Sequence, residues 1–120
     1  MKYLFILNDP PYGTELVYNG LRLATNLLAK QDEHGEAIVD VFLMGDAASA
    51  AKAGQSTPNG YYNLERMLGA VVRKGGSIKV CGTCLDARAL TQEELLAGAT
   101  RSTMDELTAL TVAADKVLVF

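Results

Sequence analysis

The spacing of short apolar runs constrains this chain more than any other feature. Four of them, YLFIL (3 to 7), IVDVFLM (38 to 44), SIKVC (77 to 81) and KVLVF (116 to 120), have the length and β-branched content of strands enclosed on both faces of a parallel sheet. The segments between them carry helical spacing. Residues 14 to 30 place Val17, Leu21, Ala24 and Leu28 on one face, flanked by Leu16, Gly20, Leu23 and Leu27. Residues 64 to 74 place Leu64, Met67, Leu68, Val71 and Val72 behind Asn63 as a cap, and Gly75-Gly76 stops them. Thr91 with Glu94, and Thr103 with Glu106, form capping-box patterns, and Met104, Leu107, Leu110 and Ala114 make the inner stripe of a last helix. Residues 98 to 102, GATRS, are a candidate fifth strand. Alternation of this kind predicts a three-layer α/β/α sandwich around a mainly parallel sheet of four to five strands, joined by right-handed crossovers.

A chain of 120 residues suffices for one core, so residues 1 to 120 read as a single domain. With 49% apolar and 21% charged residues, disorder is excluded as the main state. The net charge of −3 carries no basic footprint for a phosphate backbone, and no nucleic-acid partner is expected. The opening MKYLFILNDPPYG has an apolar run shorter than a signal-peptide core, and no other run reaches the length of a membrane span. The expectation is a cytoplasmic protein whose thiols stay reduced.

In open parallel sheets, sites gather outside the carboxyl ends of the strands. Three loops fall there: NDPPYGT, GDAASAAKAGQSTPNGYY and GTCLDAR. In the second, Asp46 followed by AASAAKA reads as a short capped helix, within a flexible rim spanning residues 46 to 62. The third holds the only cysteines, Cys81 and Cys84. Such a pair can be inert packing, a redox dithiol, part of a metal site or a sulfur carrier. Position argues against packing. Cys81 closes a strand, and Cys84 lies at or near the start of the next helix, where unpaired amides favour an anion and lower a thiol pKa; Arg88, one turn on, adds to that field. A zinc shell would have only His34 to add, which lies in a polar turn. A thioredoxin-like exchanger carries a supporting proline after its cysteines, whereas Pro10, Pro11 and Pro58 all precede Cys81. With neither G-x-G-x-x-G nor a Walker A sequence present, no cofactor is expected.

The segments PPYGTELVYNGLRLA, GQSTPNGYYNLERML, VCGTCLDARAL and STMDELTALTVAADKVLVF together resemble the DsrE/DsrF sulfur-relay family, most closely its small stand-alone YchN-like members, across essentially the whole chain and in order. The resemblance implies a parallel α/β/α fold, a trimer-based homo-oligomer, most often a hexamer, and a cysteine after the third strand that holds sulfur as a persulfide. That cysteine aligns with Cys81 and the family's following arginine with Arg88, while Cys84 matches the YchN-like branch. Where the family tends to carry glycine after that arginine, this chain has Ala89.

Taken together, a persulfide carrier is expected, with Cys81 as acceptor and Cys84 assisting or resolving, and with a thiol-bearing donor or acceptor protein as partner. Thr83, in the amide-rich GTC turn, and Arg88 support the sulfur, and Asn8, Tyr12 and Tyr61 are candidates to line the pocket. Asp86 reads as a dipole partner of the helix. The rivals are an assembly module whose cysteines do no turnover and a C-x-x-C dithiol oxidoreductase.

Overall fold

A computed structural model describes all 120 residues. Five parallel strands, β1 (Lys2–Leu7), β2 (Ile38–Leu43), β3 (Ser77–Cys81), β4 (Ala99–Ser102) and β5 (Lys116–Val119), form one sheet in the order β4-β3-β2-β1-β5. The helices are α1 (Leu16–Ala29), the single turn α2 (Gln31–His34), α3 (Leu64–Arg73), α4 (Gly82–Ala87) and α5 (Met104–Ala113). The expected α/β sandwich is therefore present, and GATRS does supply the fifth strand.

The strand order dictates where the helices go. From β1 to β4 the chain steps steadily in one direction, so right-handed crossovers put α1, α3 and α4 on the same face of the sheet. From β4 it returns to the far side of β1, which reverses the step and sends α5 alone to the opposite face. The core follows this asymmetry. A cluster of 22 buried residues, including Phe5, Leu21, Val41, Leu68, Val80 and Leu85, fills the first face. Only Leu4, Phe42 and Leu107 are fully enclosed on the second. Each large side chain so buried contributes about 1.5–3 kcal/mol, so the first face holds most of the stability.

Local signals act largely as read. Asn63 accepts from the Arg66 amide at 3.0 Å and caps α3, and α1 buries Val17, Gly20, Leu21, Ala24 and Leu28. Thr91 and Glu94 close their capping box, on a short 3-10 turn. At α5, Thr103 caps the Glu106 amide, but the Glu106 carboxylate is taken by the Ser102 hydroxyl and by Lys79, so only half a box forms.

Three expectations fail. Residues 45 to 51 do form the expected short helix, of 3-10 type, but Asp46 does not cap it, and Ala47, Ala48, Ala50 and Ala51 are fully buried, so the first part of the supposed flexible rim belongs to the core. Small side chains let this backbone pack directly against α3, α4 and β3. In α5 the inner stripe is shorter than its spacing suggests: Leu107 is buried, Leu110 and Ala114 are half-buried, and Met104 is exposed. Finally, β5 is an edge strand with Val117 and Val119 exposed, not a strand enclosed on both faces.

Candidate functional site

Period-two alternation decides where the cysteines point. In β3, Ile78 and Val80 enter the large cluster, which turns Lys79 and Cys81 toward the thin face. The strand passes into α4 without a loop residue between them, so Cys81 is both the last residue of β3 and the N-cap of the helix. Its Sγ accepts from the Cys84 amide at 3.4 Å and lies 3.4 Å from the Thr83 hydroxyl. Cys84, inside the first turn, packs against the large cluster instead, and its Sγ accepts from the Gly45 amide at 3.2 Å. The two thiols are thus adjacent, free and half-buried, each leaning on a different core.

Their electrostatics differ accordingly. Burial pushes the Cys81 thiol up, but hydrogen bonds from the side chains and amides of Cys84 and Thr83 outweigh it, and its pKa lies below the ordinary thiol value. Burial also pushes Cys84 up, and its bond to Cys81 reinforces this. The Gly45 amide and the Arg88 charge offset only part, so Cys84 titrates above the ordinary value. The helix-terminus stabilisation expected at Cys84 therefore belongs to Cys81, because the helix begins at Gly82 and Cys81 caps it.

The cation at Cys81 is not Arg88. Arg88 donates to the Cys84 carbonyl at 3.0 Å and pairs with Asp46, which places it on the Cys84 side. On the Cys81 side stands Arg101 of β4, a strand neighbour in register, with Val80 opposite Arg101 and Cys81 opposite Ser102. Its guanidinium makes a two-pronged bond to Asp86, at 2.7 Å on each arm, and lies across Gly82. A Cβ at Gly82 would sit 2.8 Å from Arg101 Nε, so glycine is what lets the guanidinium approach the sulfur end of the strand. Arg101 holds the Asp86 carboxyl below its usual range, and the charge of a Cys81 thiolate in turn helps hold Arg101 protonated. Asp86 therefore positions an arginine.

Cys81, Gly82, Thr83 and Arg101 share a cavity of about 210 Å³ with Phe42, Ser102, Thr103 and Met104. It opens where the single helix α5 fails to cover β2 and β3. Of the residues read from the sequence, Cys81 and Thr83 line it directly, whereas Cys84 and Arg88 do not. Asn8 sits at the same end of the sheet, its carbonyl beside Gly45, with the side chain exposed. Tyr12 does not reach the thiols: its hydroxyl donates to Gln55 and accepts from the Leu64 amide at 3.0 Å, tying the first loop to the start of α3. Tyr61 lines a separate groove between α1 and α3. Arg101 and Ser102 escape sequence reasoning because ATRS lacks an apolar run. Only the pairing of β4 with β3 reveals them.

Ala89 settles the backbone after Arg88. It adopts φ 55°, while the Ala89 amide donates to Asp86 at 3.1 Å and the Leu90 amide to Leu85 at 3.0 Å. This is the six-to-one and five-to-two pattern of a Schellman turn, with alanine at the left-handed position glycine usually takes. The alanine holds this conformation at a cost in backbone strain.

Comparison with known proteins agrees with this geometry. The chain is 36% identical to protein YchN of Escherichia coli strain K12 over 119 residues, 99% of this chain and 98% of that one. It is 35% identical to an uncharacterized protein of Methanocaldococcus jannaschii over the full length of both. The crystal structure of the E. coli ychN protein superposes with a TM-score of 0.88, covering 100% of this chain and 99% of that one. A protein of unknown function from Methanobacterium thermoautotrophicum, 12% identical, shares the fold with a TM-score of 0.75 over 99% of this chain and 98% of that one. The sequence profile of the DsrE/DsrF-like family matches residues 1–120, and the chain belongs to that family.

Proposed function

We propose that this protein is a sulfur-relay carrier in which Cys81 accepts sulfane sulfur as a persulfide and hands it on. The observation that carries the reading is a low-pKa thiol at a helix N-cap that shares a cavity of about 210 Å³ with an arginine. The Cys81 thiolate attacks the outer sulfur of a donor persulfide. A new S–S bond forms on Cys81, the donor S–S bond breaks, and the donor leaves as its thiolate. The terminal sulfur on Cys81 is anionic near neutral pH, and Arg101 and Thr83 are the polar groups within the cavity that can hold it. Release takes one of two balanced routes. An acceptor thiolate attacks the outer sulfur and regenerates the Cys81 thiolate. Alternatively, Cys84, once deprotonated, attacks the inner sulfur, forming a Cys81–Cys84 disulfide and expelling hydrosulfide. An external dithiol must then reduce that disulfide.

A cytoplasmic setting suits a carrier whose thiols must stay reduced, and no helix is long and apolar enough to cross a membrane. We further propose a homo-oligomer, in keeping with the trimer-based hexamer expected from the family. Support comes from the thin face, where Val112 is 83% exposed, Val119 65% and Met104 61%, beside the unpaired edge of β5. A subunit seated there covers apolar surface next to the Cys81 cavity.

Dithiol exchange is the second reading, because an activated N-cap cysteine with a higher-pKa partner three residues on also suits disulfide transfer. The two part on one experiment. Incubated with a low-molecular-weight persulfide, a carrier gains about 32 Da on the Cys81 peptide. An oxidoreductase instead reduces insulin or DTNB and accumulates the intramolecular disulfide. A protein that does neither is an assembly module.

A further inference from the structure

We propose that the groove between α1 and α3 binds a small planar aromatic anion of the mononucleotide class, at a site separate from the thiols. This shallow groove offers about 510 Å³, within the volume range of small-ligand pockets, and none of its lining residues lines the Cys81 cavity.

Its wall is an aromatic platform. The Tyr18 and Tyr62 rings stack with centroids 4.1 Å apart, and Tyr61 stands 76% exposed at the rim. Two cations flank it. The Arg22 guanidinium lies 5.5 Å from the Tyr18 centroid and bonds only the Asn19 side-chain Oδ1, and Arg66 reaches back against Gly60. Neither forms an ion pair. The acid nearest Arg66 in sequence, Glu65, is occupied by the amides of Gly54 and Gln55, both at 2.9 Å. Burial raises the Tyr62 pKa, and the nearby Glu15 and Tyr18 add to that rise.

Backbone strain marks the groove as built. The loop carrying the tyrosines holds Asn59 at φ 53° and Tyr62 at φ 61°, left-handed conformations that cost non-glycine residues about 1 kcal/mol or more and persist where a structure needs them. An aromatic face beside two guanidiniums without an acidic partner matches a base and a phosphate: the ring stacks and the arginines bond the anion. The chain's net charge of −3 favours a single nucleotide over a polynucleotide.

The test is titration of the intact protein with AMP, followed by calorimetry and by the tyrosine ring resonances, with adenosine and inorganic phosphate as its separate halves. The expected result is binding that shifts the Tyr18 and Tyr62 rings, weakened about tenfold by Arg22→Ala or Arg66→Ala and by omission of either half of the ligand. Because Arg22 is on the surface, its variant tests the site without endangering the fold. The proposal is overturned if AMP fails to bind at about 1 mM, or binds with the rings unshifted or with Arg22→Ala indistinguishable from the parent. It is equally overturned if a single-stranded oligonucleotide binds far more tightly than AMP, or if self-association covers Tyr61.

Discussion

Replacing Ala89 with glycine should stabilise this protein, which is unusual for a substitution that removes a methyl group. Ala89 occupies the left-handed position of the turn that ends α4, at φ 55°. An L-residue with a Cβ is about 1–2 kcal/mol less stable there than in its preferred conformations. Glycine removes that cost, while its greater freedom in the unfolded chain offsets about 0.4–1 kcal/mol. The net gain is about 0.8 kcal/mol. With an unfolding entropy of roughly 2.1 cal/mol/K per residue, a 120-residue chain should melt about 3 °C higher. Calorimetry or urea unfolding at fixed protomer concentration reads this, since assembly makes the midpoint concentration-dependent. Ala89→Val is the opposing control, because a β-branched residue fits this region worse than alanine and should lower the midpoint. An Ala89→Gly variant that melts at or below the parent temperature would refute the Schellman geometry, and with it the placement of Arg88 that this turn fixes.

Thiol reactivity should separate by pH. A lowered pKa means that Cys81 becomes a thiolate at lower pH than an ordinary thiol, so its iodoacetamide alkylation should have a midpoint below about 8.5, with Cys84 above it. Thr83→Val, which deletes a donor to Cys81, should move the Cys81 midpoint upward; Arg88→Ala should slow Cys84 and leave Cys81 nearly unchanged. Peptide-resolved mass spectrometry gives both curves, and coincident midpoints for the two cysteines would contradict the assignment. Val112→Asp and Val119→Asp should shift the protein toward a monomer in light scattering while preserving its circular dichroism, if the thin face is the subunit contact; an unchanged mass would place the contact elsewhere. Arg101→Gln should slow persulfide loading on Cys81 several-fold while leaving the fold intact, and unchanged loading would remove Arg101 from the site.

The strands were legible because β1, β2 and β3 are continuous apolar runs, and the helix starts because Asn63, Thr91 and Thr103 are capping residues with short-range geometry. Less legible was anything set by pairing or by position in the sheet. β4 carries two exposed residues between two small buried ones, so its sequence holds no hydrophobic signal, and Arg101 stayed invisible with it. The alanine-rich segment after β2 resembles a rim loop by composition. It is buried because only small side chains fit between α3, α4 and β3. Cys84 looked like the helix-start thiol because the sequence does not show that β3 enters α4 without an intervening residue. That junction moves the capping role back to Cys81. The direction of the Cys81 side chain, by contrast, follows from the alternation in SIKVC once Ile78 and Val80 are assigned inward.

The most direct measurement is the mass of the protein and of its Cys81→Ser and Cys84→Ser variants after incubation with a persulfide donor and quenching by alkylation. The parent and Cys84→Ser should each gain about 32 Da, located on the Cys81 peptide, while Cys81→Ser should gain nothing because serine lacks the polarisable sulfur nucleophile. Loading that persists in Cys81→Ser and disappears in Cys84→Ser would contradict the account and make Cys84 the carrier.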